Sequence, residues 1–242
     1  MKRIVLLISL FAGIGLRAQN QKNIVVDANA EPRMVFGYSA IEVSGAIDLY
    51  LSQGTEEGIA VSASSDEIRQ RIKTELRGNT LQIYFDSKGL NWKAWGNHKM
   101  KAYVTFKTLS RLEASGACNV RATERIRQPE LSIELSGASD FTGELAIGKL
   151  RIDASGASNA KLSGSAENLA IIASGACNLK AYDLTAIMCK TDASGASNIR
   201  ISVEKELNAQ ASGGSTVYFK GNGLIRDIST SGGATVKRRS ED

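Results

Sequence analysis

The chain is poor in histidine, proline and cysteine, with one, two and three of them among 242 residues. The one histidine, His98, has no nucleophile recognisably spaced beside it, and no zinc-ligand spacing, phosphate-cradling glycine loop or dinucleotide fingerprint occurs. The sequence therefore predicts a non-enzyme with no cofactor and no metal site. Neither Pro32 nor Pro129 opens a proline-rich linker, which favours a single domain.

Long apolar runs are also scarce, and the one that stands out lies at the start. Lys2 and Arg3 precede an apolar run from Ile4 to Leu16, followed by small and polar residues. This is typical of a secretory signal peptide and is short for a membrane span. We predict a signal peptide over 1–18, then a flexible segment over 19–33, and an exported mature chain without a membrane span. We expect the mature chain in the periplasm or at the cell surface. The alternative to cleavage is that the segment 1–18 is retained as an amino-terminal anchor.

The excess of basic charge is small once this leader is set aside. The whole chain has a formal net charge of +5, and the segment 1–18 carries Lys2, Arg3 and Arg17 and no acid, so the rest of the chain carries +2. Such a balance does not indicate nucleic-acid binding. The rest of the chain is large enough for one substantial core.

A repeated motif organises most of the chain. Ser-Gly-Ala-x-Asn or a close variant begins at seven serines: Ser115, Ser136, Ser155, Ser174, Ser194, Ser212 and Ser231. The segment 41–49 is an earlier copy, with Asp48 in the Asn position. A nearly constant period of about 19 residues is typical of stacked units that cannot bury their apolar side alone.

Each copy reads as short strands joined by corners. The fifth residue after each serine is apolar, as in Val120, Phe141, Ala160, Leu179 and Ile199, and apolar and polar residues alternate around it. Strands this short must pair with the same strand of the next copy. We predict an all-β parallel β-helix with coils of about 19 residues over 34–242.

The segment 66–76 fits either a short helical turn or a strand connection. Leucine-rich repeats, the competing solenoid, place Asn closer to the last strand leucine.

The motif itself is interpreted as a corner. Glycine takes positive φ without steric cost, and Asn or Asp tolerates the left-handed region. The structural interpretation of these residues is a turn ladder along the solenoid, formed by Asn119, Asp140, Asn159, Asn178 and Asn198.

The cysteines follow the same register. Cys118 and Cys177 occupy one repeat position three coils apart, or roughly 14 Å at the usual strand spacing. A disulfide needs Cα atoms within about 7 Å. Cys189 stands in a leucine column, so we predict three free thiols.

These residues carry a resemblance to a known family. The segment Val43-Ser-Gly-Ala46, the strand pair around Gly78-Asn79, and the series of Ser-Gly-Ala-x-Asn coils resemble the GIN-domain family, the autotransporter adhesin head domain of secreted Bacteroidetes proteins. The resemblance covers about 34–239. It implies a right-handed β-helix at the cell envelope with an adhesive role, and it supplies no catalytic residue.

An insertion at 87–100 interrupts the repeat. It holds both tryptophans of the chain, its one histidine and three lysines. Aromatic residues beside cations on a loop can stack on sugars or anchor a partner. The first candidate ligand-binding residues are Trp92, Lys93, Trp95 and His98, and the alternative is that a tryptophan plugs the solenoid.

Two charged columns are predicted on the outside. The sixth residue after each serine is often basic, which gives the second set of candidate ligand-binding residues: Arg121, Lys161, Lys180 and Arg200. The second residue before the serine is often acidic, as in Glu113, Glu134 and Asp153. Either column could attract an oppositely charged partner, and the alternative is a solvated, mixed-charge surface.

These observations favour a non-enzymatic, envelope-associated binding or adhesin-like module whose partner is a surface glycan or an envelope protein. One alternative is an architectural or self-assembling protein that forms homo-oligomers through open coil edges. Another is a polysaccharide-active β-helix enzyme, which usually needs long loops, and coils this short leave little room for them.

Overall fold

The computed structural model describes residues 27–89 and 99–239, which form a β-solenoid of about seven turns. The first part of the chain contains seven strands and one helix, namely β1 (Glu31–Arg33), β2 (Ala40–Val43), β3 (Ile47–Gln53), β4 (Gly58–Ala63), α1 (Asp66–Arg71), β5 (Ile72–Arg77), β6 (Thr80–Phe85) and β7 (Met100–Phe106). The strands of the later coils are β8 (Arg111–Ala114), β9 (Asn119–Ala122), β10 (Ile126–Leu135), β11 (Asp140–Ala154), β12 (Asn159–Ala173), β13 (Asn178–Ala193), β14 (Asn198–Ala211), β15 (Thr216–Lys220), β16 (Leu224–Thr230) and β17 (Thr235–Arg238).

Each of these later strands pairs with the same part of the next coil. Strands β10 to β14 pair in chain order, and every one of these pairings is parallel. The predicted apolar column is continuous in this register and at most 2% exposed, and it contains Val120, Phe141, Ala160, Leu179 and Ile199. The prediction of stacked coils of about 19 residues is confirmed.

Three walls make up a full coil, and the corner motif separates two of them. Wall A is the stretch that ends at the corner, such as 131–135, and wall B follows the corner, such as 140–142. Wall C, such as 145–147, leads from wall B to the next wall A. Along all three, buried and exposed residues alternate, so one set of side chains fills the interior and the other forms columns outside.

The corner glycines of the middle coils form a column with no room for a Cβ atom, and they are Gly137, Gly156, Gly175, Gly195 and Gly213. Gly156 has φ +73°, and a Cβ built on it would lie 2.4 Å from the carbonyl oxygen of Gly137. That same oxygen accepts a hydrogen bond from the backbone N–H of Ala157 at 2.7 Å. Glycine is therefore required for the backbone conformation and also for the close stacking of successive corners.

The third residue after the motif serine closes four of the corners from inside, and in these corners it is Cys118, Ser158, Cys177 or Ser215. The Ser158 hydroxyl donates to the Ser155 carbonyl at 2.8 Å, and the Cys177 thiol donates to the Ser174 carbonyl at 3.2 Å. Serine and cysteine have similar size and each can donate once, which explains why they alternate in this position. Cys118, Cys177 and Cys189 are all free and buried.

Chain order and spatial order differ at the amino-terminal end. Strands β2 and β3, which form the early copy, lie between β6 and β7 on one side and β8 and β9 on the other. The chain leaves its first coil, builds the end of the solenoid, and returns to continue on the opposite side. The copy at 41–49 thus stacks directly on the coil whose corner begins at Ser115.

Antiparallel strands cover this end. Strand β5 pairs with β6, and β4 pairs with β7, both antiparallel. Helix α1 joins β4 to β5, and the Ser65 hydroxyl accepts a hydrogen bond from the Ile68 N–H at its first turn. Segment 66–76, for which the sequence left two possibilities, therefore contains a helical turn followed by a strand. No helix among 27–89 and 99–239 has the length and apolarity needed to cross a membrane.

Part of the segment expected to be flexible is ordered. Strand β1 pairs antiparallel with the outer edge of β4, and Pro32 sits opposite Ala60. An edge strand tolerates proline because one side of it makes no ladder hydrogen bonds. The predicted signal peptide and residues 19–26 lie outside the described residues.

The carboxyl-terminal end has a different boundary. Among the described strands, β16 pairs with β14 alone and β17 with β15 alone. The Arg238 guanidinium lies 5.0 Å from the Phe219 ring centre and donates to the carbonyls of Gly221 and Gly223 at 2.8 and 2.7 Å. One residue of the charged terminus thus covers part of the last interior layer.

We predict that Gly156→Ala destabilises the protein far more than Gly78→Ala. Both glycines have positive φ, but a Cβ at Gly78 meets nothing within 4 Å. The control should cost about 1 kcal/mol for left-handed strain, whereas the clash at Gly156 should bring the loss to roughly 3 kcal/mol or more. Urea unfolding measures both changes, and equal losses would contradict close packing of the corners.

Candidate binding surface

The outer face of wall B carries a column of basic side chains. Lys161, Lys180 and Arg200 are direct neighbours on adjacent strands, and Arg121 is separated from Lys161 by Thr142. Adjacent strands are about 4.8 Å apart, so the charges form a closely spaced row. The predicted basic residues are therefore brought together on one flat wall.

This column is not neutralised by acids within the described chain. Arg121, Lys161, Lys180 and Arg200 form no ion pair with another described residue, whereas ten ion pairs occur elsewhere. Stacked like charges repel one another. An anionic partner would relieve that repulsion.

Tyrosines extend the column at both ends. Tyr50 stands beside Arg121 and stacks on Tyr103, with ring centres 5.2 Å apart and an interplanar angle of 22°. At the other end, Tyr218 follows Arg200. We name the whole row the basic–tyrosine face, and in spatial order it comprises Tyr103, Tyr50, Arg121, Thr142, Lys161, Lys180, Arg200, Tyr218 and Lys237.

Further aromatic and basic groups lie beside its carboxyl-terminal part. The Arg239 guanidinium lies 4.3 Å from the Tyr218 ring centre, and the Lys220 ammonium lies 5.5 Å from that of Tyr182. Tyr182 falls where the register between β12 and β13 shifts, so an extra residue places this ring outside. Burial raises the pKa of Tyr182. The face thus combines cations with aromatic surface.

At the amino-terminal part of this face, Tyr103 forms a hydrogen bond with Asp27, the first described residue. Its hydroxyl donates to an Asp27 carboxylate oxygen at 2.8 Å, and Lys101 lies 3.4 Å from the same oxygen. Burial and this hydrogen bond raise the pKa of Tyr103. Burial acts to raise the pKa of Asp27 as well, but the hydrogen bonds from Tyr103 and other donors outweigh it and leave the pKa of Asp27 lowered.

The motif asparagines form a second row next to this face. Asn119, Asp140, Asn159, Asn178 and Asn198 are paired in register. The Asn119 amide donates to Asp48 at 2.8 Å, and the Asn159 amide donates to Asp140 at 2.7 Å. Amide-to-carboxylate bonds connect neighbouring corners, so this row contributes to the ordering of the coils.

The acidic column of wall A differs because arginines lie against it. Arg111 pairs with Glu113 at 2.6 Å and with Glu134 at 2.9 Å, and Arg151 pairs with Asp153 at 2.9 Å. The hydrogen bond from Arg111 holds the pKa of the Glu134 carboxyl below its ordinary value. Within the part of the chain that the structure describes, no cluster of three or more metal-ligating side chains occurs. Wall A is therefore a mixed-charge surface.

A shallow groove of about 350 Å³ lies on the outside between walls C and A. Lys149, Arg151 and Lys190 line it together with Glu130 and Glu206. Its charges are mixed, so it lacks the single sign that distinguishes the basic–tyrosine face.

The other predicted binding residues, Trp92, Lys93, Trp95 and His98, lie outside the described residues. Sequence reasoning missed Tyr50, although it stands six residues after Ser44 and so occupies the basic position of the repeat. Tyr103 lies in the strand after the insertion, and Tyr182 lies at a bulge. Neither residue occupies a regular position of the repeat, so the sequence pattern does not predict where its side chain lies.

Comparison with known proteins gives a family match over most of the chain. A family model described as "Putative auto-transporter adhesin, head GIN domain" matches residues 37–223. No relative was found among curated proteins.

Several solved structures share the architecture. A protein described as a "putative adhesin" from Bacteroides fragilis has a TM-score of 0.77 and 22% identity, covering 87% of this chain and 96% of its own. One described as a "Putative lipid binding protein" from Parabacteroides distasonis has a TM-score of 0.65 and 18% identity, covering 88% and 97%. One described as a "putative adhesin" from Parabacteroides merdae has a TM-score of 0.63 and 19% identity, covering 87% and 95%. At such identities the likeness shows a common fold.

We predict that Arg111→Gln raises the pKa of Glu134 toward its ordinary value, because the main group holding it down is removed. The native interaction stabilises the folded state above the unfolded pKa of Glu134 and is lost as pH falls through the lower folded pKa. The stability difference between native and variant proteins should therefore shrink in acid. Carboxyl NMR titration measures the shift. Arg125→Gln, which removes the partner of Glu144, is the control and should leave Glu134 unchanged.

Proposed function

The chain belongs to the GIN-domain head family of auto-transporter adhesins, since the family model spans 37–223, and we propose that it is a non-enzymatic, exported binding module of the cell envelope. Its ligand is an elongated anionic glycan bound along the basic–tyrosine face. The observation that carries this proposal is the single row of Arg121, Lys161, Lys180 and Arg200 without acidic partners among the described residues.

The geometry of the row suits a linear polymer. Backbone hydrogen bonds of parallel strands fix the positions from which the cations project, so little ordering of the protein is needed on binding. A chain of regularly spaced carboxylates, sulfates or phosphates could contact several cations at once. Each exposed contact is weak, and their number provides the affinity.

The tyrosines add a contribution that charge alone does not supply. Aromatic rings offer apolar faces and polar hydroxyls, which suit the faces and edges of sugar rings. Tyr50 and Tyr103 stand at one end of the cations and Tyr218 at the other. This arrangement favours a sugar polymer over a simple inorganic anion.

The tryptophan insertion is the second part of the proposed site. Its preceding strand β6 ends at Phe85, which packs beside Gly45, and its following strand begins at Met100, which pairs with Ile47. Both flanks therefore meet the corner between walls A and B. Because Tyr103 lies three residues beyond Met100, the strand that follows the insertion leads into the basic–tyrosine face.

The first prediction for this function concerns charge. Changing Arg121, Lys161, Lys180 and Arg200 together to Gln should weaken binding to heparin, a linear sulfated polysaccharide, by roughly 30-fold, at about 0.5 kcal/mol for each exposed contact. Calorimetric titration at low salt measures the affinity, with neutral dextran as a ligand that should not bind. A matched variant changes four exposed lysines elsewhere to Gln: Lys107, Lys149, Lys190 and Lys205. Equal weakening in both variants would reduce the effect to net charge and refute the site.

The second prediction concerns the insertion. Trp92→Ala together with Trp95→Ala should weaken heparin binding roughly tenfold, in the range of aromatic contacts at binding sites. The double change to Phe should retain most of the affinity, because stacking surface is kept. If the Ala variant binds as well as the native protein but unfolds at lower temperature, the tryptophans plug the solenoid instead of contacting the ligand.

A further inference from the structure

The last coil exposes aliphatic side chains that belong to the interior columns. Ile225 pairs with Leu207 and Ile228 with Ala209, and the side chains of Leu207 and Ala209 are buried. Ile225 and Ile228 are nevertheless 48% and 37% exposed, because no further described coil covers them. Leu224 beside them is 69% exposed. We name the coil 224–239 the carboxyl-terminal tip.

Two more exposed apolar side chains lie further up the side of the solenoid. Met188 and the preceding Ile187 are 40% and 45% exposed. The charged Glu206 stands between Met188 and Leu224, so these two residues are separate from the tip. The tip itself presents three large exposed aliphatic side chains close together, namely Leu224, Ile225 and Ile228.

The last coils carry more basic than acidic side chains, although Glu206 beside the patch forms an ion pair with Arg226. Residues 212–239 contain five basic residues and one acid, Asp227, and the basic ones are Lys220, Arg226, Lys237, Arg238 and Arg239. A positive surplus remains when Glu241 and Asp242 of the sequence are also counted. Aliphatic groups on the same end as a basic surplus are a combination that binds at the interface of an anionic bilayer.

The backbone of the tip fits the same partner. One edge of β16 and one edge of β17 have no partner among the described strands. Free N–H groups on these edges can donate to lipid phosphate oxygens, whereas in the hydrocarbon region they would be unsatisfied. The tip is thus suited to the headgroup layer and the upper part of the acyl chains.

We propose that the carboxyl-terminal tip docks on the surface of an anionic lipid bilayer. Leu224 and Ile225 enter the interface, and Lys237 lies at the level of the phosphates, whereas Arg226 is paired with Glu206 at 3.1 Å. This interaction goes beyond the glycan binding proposed above, since it uses the end of the solenoid and a different ligand. It would leave the cations from Arg121 to Arg200 available for a polymer.

A second copy of the chain is a poorer occupant of the tip. Two tips placed end to end would bring like charges together. The opposite end presents β1 and antiparallel β5 instead of a continuing parallel coil. Charge complementarity therefore favours a lipid surface over another tip.

The opposite end also offers a matched control for exposed apolar groups. Met34 and Phe36, between β1 and β2, are 82% and 50% exposed. The carboxylate of Glu57 lies beside them and accepts a hydrogen bond from Gly37 N–H, and Glu56 precedes it. This pair is apolar but has acidic neighbours, so an anionic bilayer should not attract it.

The experiment measures co-sedimentation of the protein with vesicles of equimolar phosphatidylcholine and phosphatidylglycerol, and with vesicles of phosphatidylcholine alone. The native protein should bind the mixed vesicles and not the neutral ones, and added salt should weaken binding. Leu224→Ser with Ile225→Ser should lower the partition coefficient at least tenfold, or about 1.4 kcal/mol. Met34→Ser with Phe36→Ser should leave it unchanged, and circular dichroism should show that both variants keep the β fold.

Three results would overturn the proposal. The first is native protein that binds neither vesicle. The second is binding lost in the four-residue basic-face variant but retained in the Leu224 and Ile225 variant, which would place the lipid on wall B. The third is a dimer in lipid-free light scattering that only the Leu224 and Ile225 variant dissociates, without vesicle binding, which would make the tip a self-association surface. Lys237→Gln tests the charge separately and should reduce both binding and its salt dependence.

Discussion

The architecture depends on the close stacking of the corner glycines. The carbonyl oxygen of Gly137 receives the N–H of Ala157 at 2.7 Å, in the space that a side chain on Gly156 would need. The same contact recurs from Gly116 to Gly195, so the corners of these coils stack in one register. Ser158 and its serine or cysteine equivalents Cys118, Cys177 and Ser215 then close their corners from inside. A repeated backbone constraint thus aligns the side chains of walls A and B next to the corners.

Register converts a linear repeat into surface columns. A residue that recurs at one position of the motif becomes a row on one wall, with neighbours about 4.8 Å apart. The acidic row of wall A and the basic row of wall B both stack like charges, but only the acidic row is paired with opposite charges. Arg111 and Arg151 neutralise the acidic row of wall A, whereas Lys161 and Lys180 form no ion pair with a described acid. The difference arises from the columns that stand beside each row, and it explains why wall B is the stronger candidate for a charged ligand.

The two ends of the solenoid are closed by different means. At the amino-terminal end, β4 and β5 run antiparallel to the last parallel strands, and α1 packs Ile68 into the core. At the carboxyl-terminal end, Arg238 covers Phe219 while Ile225 remains exposed. The basic–tyrosine face and the carboxyl-terminal tip are different surfaces, so two ligands could bind at once. On our proposals the face would bind a polymer, and the tip would hold the protein at a membrane.

The sequence alone determined the coil length, the corner glycines, the interior column from Val120 to Ile199 and the basic row, because a repeat with alternating polarity has one compact way to stack. Tyr50 was also readable from its repeat position. Only the tertiary structure decided that the first coil lies between β6–β7 and β8–β9, that Tyr103 stacks on Tyr50, and that a bulge exposes Tyr182. These features depend on the path of the non-repeating segment 54–109 and on local register shifts. Neither the path of this segment nor the register shifts follow from the periodicity of the sequence, because both depend on packing between residues that are distant in the chain.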